Sequence, residues 1–151
     1  MLRDAAAITN RAKDVYRRPR PLVGNNQPIC VQRDADLAAS PSYPSGHTTY
    51  SWAVGLILAE LAPDRATPVL ARARAYGESR VVCGVHYVSD IEAGRTNGST
   101  LVAALHDSPA FRADLEAARQ EIAAARAAGA PDAGVCAVPN AAAAHTPWAA
   151  R

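Results

Sequence analysis

The amino-acid sequence predicts an all-α protein. Alanine, the strongest helix former, fills 35 of 151 positions, while the aromatic residues that favour strands make up only 5%. Apolar residues recur at helical spacing in successive segments, and each segment is bounded by a cap or a proline. A hydrophobic share of 49% against 20% charged residues is that of a chain with a core, and the length suits one domain.

The first helix is expected over residues 1–16, where Leu2, Ala5, Ala6, Ala12 and Tyr16 lie near helical spacing. It should stop in Arg17-Arg18-Pro19-Arg20-Pro21, because each proline lacks a donor and turns its predecessor away from the α region. Residues 22–46 are rich in Gly, Asn, Asp, Ser and Pro and read as a loop of a length uncommon in compact domains without a task. A second helix should run from about His47 to Leu61, stopped by Pro63. A third is signalled by Thr67 as N-cap with Pro68 at the first helical position, and Gly77 as its left-handed end. The fourth spans about Tyr87 to His106. Ser108-Pro109 opens the fifth, in which Phe111, Leu115, Ala118 and Ile122 share a face, and Gly129 and Pro131 close it. The domain is thus expected over 1–129. Residues 130–151, rich in Ala, Pro and Gly and without periodicity, are expected to form a disordered tail.

Several function classes are disfavoured. A net charge of +2 is too near neutral to argue for nucleic acid or a membrane surface as partner. No apolar stretch reaches the roughly 18–20 residues of a membrane span; the best, Trp52 to Leu61, is short and carries Glu60. Met1-Leu2-Arg3-Asp4 leads into a mixed amphipathic segment and not into the apolar core of a signal peptide. The expectation is therefore a cytosolic protein, or one whose leader lies outside these residues. Cys30, Cys83 and Cys136 form no Cys-x-x-Cys pair, and three cysteines allow at most one bridge.

Three groups of residues could carry chemistry. Lys13, Arg17, Arg18 and Arg20 crowd a helix end. Alone they suit a solvated basic face, but arginine forks and a lysine point charge also clamp phosphate oxygens. Pro44-Ser45-Gly46-His47 stands at a helix start, where free N–H groups favour an anion and glycine admits a ligand close to the backbone. Ser45 adds a hydroxyl and His47 a proton donor or acceptor, although an ordinary capped turn has the same residues. In the third group, Arg80 adds a cation, and His86 and Asp90 stand four apart, so that a carboxylate can fix one imidazole nitrogen and free the other as a nucleophile. A surface His–Asp pair is the plain alternative. Together the groups supply what a metal-free phosphoryl-transfer site needs.

Lys13-x6-Arg20-Pro21, Pro44-Ser45-Gly46-His47 and Ser79-Arg80-x5-His86-x3-Asp90 resemble the three-part signature of the PAP2 acid phosphatase and vanadium haloperoxidase superfamily. The resemblance covers roughly residues 5–127 and is nearest to the bacterial class A non-specific acid phosphatases. It implies an all-α bundle that hydrolyses phosphate monoesters without a metal or other cofactor, with broad specificity and an acidic optimum. By resemblance His86 is the nucleophile that becomes phosphohistidine, Asp90 orients it, and His47 is the acid and then the base. Lys13, Arg20, Ser45, Gly46 and Arg80 bind the phosphate, and vanadate binds as its analogue. The resemblance further implies a periplasmic or secreted location and allows a Cys30–Cys83 disulfide. Relatives of this type are longer at the N-terminus, so this chain is expected to lack N-terminal helices, to expose apolar surface and to self-associate.

The rivals are weaker. Asp34-x-Asp36 is reminiscent of haloacid-dehalogenase-like phosphatases but has Ala38 where that motif continues to Thr or Val. A thiol phosphatase needs Arg six positions after Cys, where Asp36, Ser89 and Ala142 stand instead. No Walker loop, His-Glu-x-x-His or paired Cys-x-x-Cys occurs. Asn97-Gly98-Ser99 matches a glycosylation acceptor only inside an expected helix. The remaining alternatives are a vanadium-dependent haloperoxidase and a truncated, non-catalytic phosphate-binding relative.

Overall fold

A computed structural model describes residues 2–130, which form six α-helices and, among the described residues, no strand. They are α1 (Leu2–Tyr16), α2 (Ala35–Ala39), α3 (Gly46–Leu61), α4 (Ala66–Val82), α5 (Val88–Leu105) and α6 (Pro109–Ala128). The expected tail lies almost wholly outside the described residues.

α3 is the central helix, packed on α4 and α5 and, at its start, on α1. Small residues allow the close approach. A Cβ on Gly94 of α5 would lie 2.8 Å from the Ser45 carbonyl oxygen, and one on Gly98 would lie 2.8 Å from that of Thr49. The main apolar cluster, Ala5, Ala53, Leu101 and Val102, sits behind this seam. A second cluster of Leu22, Cys83 and Val85, flanked by Ile29 and Leu37, secures the long connection after α1. Asn97-Gly98-Ser99 lies inside α5, as expected.

Three elements differ from expectation. The third helix begins at Ala66 and runs through Gly77 to Val82. Pro63–Arg65 form a 3-10 turn that feeds straight into it, and Pro68 occupies its first turn, where no backbone donor is needed. Gly77 is a packing residue and not a cap: its missing Cβ makes room for Thr48, whose Cγ2 would be 2.9 Å away. The connection 22–45 is not wholly loop. Asp34 caps α2 by accepting from the Leu37 N–H at 2.7 Å, which gives Asp34-x-Asp36 a structural task.

The seam gives a direct test. Helix propensity alone favours Ala over Gly by about 1 kcal/mol. Gly94→Ala is nevertheless expected to destabilise the fold by about 1–3 kcal/mol, because the methyl meets backbone on α3. Urea unfolding measures it, and an equally stable variant would remove the seam argument.

Candidate active site

The residues singled out in the sequence converge where α1 ends and α3 and α5 begin. Ser45 is fully buried and caps α3, its Oγ accepting from the Thr48 N–H at 3.3 Å and the Thr48 hydroxyl at 3.0 Å. Its own hydroxyl proton is left free to donate. The Ser45 N–H donates to the Asp90 carbonyl at 3.0 Å, tying the start of α3 to the start of α5. Gly46 opens α3, and His47 follows it on the exposed side.

Arg80 stands near the end of α4, and its carbonyl accepts the N–H groups of both Val85 and His86 at 3.2 Å. Gly84, at φ +74°, makes the turn that brings the chain back. Cys83, beside it, is disulfide-bonded to Cys30 with Cα atoms 5.0 Å apart, so the long connection is fastened next to His86.

His86 is buried, with Nδ1 3.2 Å from Asp90 Oδ2 and Nε2 3.2 Å from Arg20 Nη1. The pair does not share a helix face as its spacing suggests, because α5 starts at Val88. Instead Asp90 reaches back over the helix start, where Oδ2 also accepts the Tyr87 N–H at 2.9 Å. A guanidinium can only donate, so Arg20 identifies Nε2 as the lone-pair nitrogen and places the ring proton on Nδ1, facing Asp90. Burial lowers the basicity of His86 against the opposing Asp90 hydrogen bond, with Arg20 and Lys13 adding to the lowering. Burial also works to raise the Asp90 carboxyl, but hydrogen bonds from His86 and the Tyr87 amide, with the charges of His86 and Arg18, hold it below the usual carboxylate value.

Cations surround this pair. Arg20 is buried and anchored by Nε to the Ser40 carbonyl at 2.8 Å and by Nη1 to the Val85 carbonyl at 3.0 Å. Lys13 donates to the Pro41 carbonyl, and its basicity falls to about 8 through burial and the nearby Arg20. Arg80 Nε is buried and, among the described residues, has no hydrogen-bond partner. His47 is pushed below the ordinary imidazole value by lost hydration and then by Arg80, His86, Arg20 and Lys13. All eight expected site residues thus lie in one region, with three cations and one carboxylate among them.

Arg18 was singled out only as one of a basic run, and two tyrosines not at all. Arg18 Nη1 donates to Asp90 Oδ1 at 2.9 Å, and the Tyr76 ring lies 6.2 Å from that of His47. Tyr87 supplies the amide beneath Asp90. The basic run around Arg18 was visible in the sequence, but no spacing distinguished it from Arg17. Among the described residues no group of three His, Cys, Asp or Glu is placed to hold a metal, and no helix is long and apolar enough to cross a membrane.

Comparison with known proteins gives a family and several relatives. The profile of the PAP2 superfamily matches residues 1–113. An acid phosphatase of Zymomonas mobilis is 49% identical over 128 residues, covering 83% of this chain and 48% of that protein. A non-specific acid phosphatase of Providencia stuartii is 41% identical over 82% of this chain and 50% of its own length, and one of Salmonella typhimurium is 42% identical over 76% and 46%. The chain spans about half the length of these relatives.

Proposed function

The chain belongs to the PAP2 superfamily, and on that footing we propose that it hydrolyses phosphate monoesters, with His86 as the nucleophile. The observation that carries the reading is the His86 lone pair: Asp90 holds the ring from behind at Nδ1, Nε2 faces Arg20, and Arg80, which also faces Arg20, has a buried Nε with no partner among the described residues. A phosphate dianion there takes its equatorial bonds from Arg20, Arg80, Lys13, the Ser45 hydroxyl and the Gly46 amide. In drawing the Arg20 guanidinium onto its own oxygens it uncovers Nε2. Donors gathered around the site before the substrate arrives stabilise the charge that develops in transfer, with only the Arg20 guanidinium having to shift.

In the first step Nε2 attacks phosphorus and the phosphorus–oxygen bond to the leaving group breaks. His47 gives that oxygen its proton, and Asp90 balances the cationic ring of the phosphohistidine. In the second, neutral His47 takes a proton from water as the water attacks phosphorus. The phosphorus–nitrogen bond breaks, and inorganic phosphate leaves. No step draws on a metal. Activity should be greatest at acidic pH, since His86 must be unprotonated and His47 protonated, and both sit below the ordinary imidazole value.

Broad specificity follows from donors that all address the phosphate. The Cys30–Cys83 bond supports an oxidising, periplasmic or secreted location. Exposed Val82 and Val88 supply apolar surface for self-association. The test is p-nitrophenyl phosphate hydrolysis by the folded chain at pH 5–7 in EDTA, with and without vanadate. Turnover that persists in EDTA and is inhibited by vanadate is expected. A folded chain that binds vanadate without turnover would overturn the proposal in favour of a phosphate-binding protein.

A further inference from the structure

The nucleophile is oriented by a carboxylate that is itself held from a second side. Asp90 uses Oδ2 for His86 Nδ1 and the Tyr87 N–H. Its other oxygen, Oδ1, receives Arg18 Nη1 at 2.9 Å. Asp90 is fully buried while Arg18 is about a third exposed, so the guanidinium closes the carboxylate off on its solvent side. Arg18 is itself fixed. The same Nη1 lies 2.6 Å from Ser89 Oγ, and its guanidinium carbon stands 4.0 Å over the centre of the Tyr87 ring.

We propose that Arg18 is a positioning residue for the His86–Asp90 pair, locking the Asp90 carboxylate in its rotamer and balancing part of its charge. The inference rests on His86 being the nucleophile. Among the described residues Arg18 has Ser89, Asp90 and Tyr87 as partners, so it acts on His86 through Asp90. This differs from Arg20, which touches the imidazole directly at Nε2. Lysine is a poor substitute, because a point charge on a flexible stem cannot both stack flat on Tyr87 and bond the carboxylate from a fixed fork.

The sign of the effect follows from the charges around the pair. His86 faces Asp90 on α5, Lys13 on α1, Arg20 on the segment after α1 and His47 on α3, while Arg80 on α4 acts on His47 and Arg20. Removing Arg18 leaves Asp90 held by the Tyr87 N–H but less neutralised, so its charge favours protonated His86 more strongly. The imidazole should then titrate higher, and the acidic limb of kcat/KM should move up with it.

The test compares the wild-type chain, Arg18→Met and Arg18→Lys. The readouts are His86 titration by NMR, assigned with His86→Ala, together with p-nitrophenyl phosphate kinetics and vanadate inhibition. Methionine keeps an apolar stem over Tyr87, and the thermal transition reports whether each variant folds. In Arg18→Met the His86 pKa should rise by about half a unit. Its kcat should fall about tenfold, as when an outer partner of a reactive histidine is lost. KM and vanadate inhibition should stay within about twofold, and Arg18→Lys should lie between the two on every readout. An unchanged or lowered His86 pKa in folded Arg18→Met overturns the proposal. A loss seen chiefly in KM and vanadate binding also overturns it, since Arg18 would then bind phosphate. An inactive wild type would remove the phosphatase reading, while the NMR titration would still decide the coupling of Arg18 to His86.

Discussion

His86→Ala is expected to lower phosphate monoester turnover by at least about 10⁴-fold, the scale on which losing a nucleophile is felt, while inorganic phosphate still binds. The two halves of this result test different groups. Turnover requires the Nε2 lone pair as nucleophile: Lys13, Arg20 and Arg80 are donors, Asp90 lies behind the ring, and His47 is engaged as the acid for the leaving group. Binding requires only the cations, the Ser45 hydroxyl and the Gly46 amide, all of which remain. The fold should survive, since Asp90 keeps the Tyr87 N–H and Arg18 as donors after the imidazole is gone. Kinetics with p-nitrophenyl phosphate and inorganic phosphate titration by calorimetry measure the two halves. Residual turnover near the wild-type level would remove His86 as nucleophile. Loss of phosphate affinity by more than about tenfold would show that the imidazole organises the cation cluster.

How much of this was legible in the sequence depends on how local each signal is. The caps at Ser45 and Ser108 and the proline stops were readable because a helix end is decided within a few residues. Gly77 misled because the reason for a glycine there is Thr48, which lies 29 positions away in the chain and across a helix interface. The same long range hides Arg18: its partners Asp90 and Ser89 are 72 and 71 positions distant, and only folding separates it from Arg17, whose Nε merely caps the Asp14 carbonyl at 3.0 Å. The His86–Asp90 pairing was legible for an imperfect reason. A spacing of four within a helix would put both on one face, whereas the contact is made by Asp90 folding back over the first turn of α5. Spacing identified the partners; the helix boundary determines how they meet.

His47→Ala should separate the two chemical steps proposed for this site. With an alkyl phosphate the leaving alkoxide needs a proton as it departs, so formation of the phosphohistidine should slow by about 10²–10⁴-fold. p-Nitrophenolate departs without one, and with that ester formation should be nearly normal. Its hydrolysis is not spared, because the attacking water still needs a base. The variant should therefore release a burst of p-nitrophenolate equal to the enzyme present, then turn over slowly, with the intermediate recovered as acid-labile phosphate on His86. The pH profile adds a separate check. His47 sits below the ordinary imidazole value, first from lost hydration and then from Arg80, His86, Arg20 and Lys13. In the wild type the alkaline limb of kcat/KM for alkyl esters should therefore lie below about 6.5 in the free enzyme, falling as His47 loses its proton. His47→Ala should flatten that limb and leave the acidic limb, which belongs to His86, in place. Equal losses on alkyl and p-nitrophenyl esters with no burst would take the acid–base role away from His47, leaving it at the rim of a site whose proton comes from elsewhere.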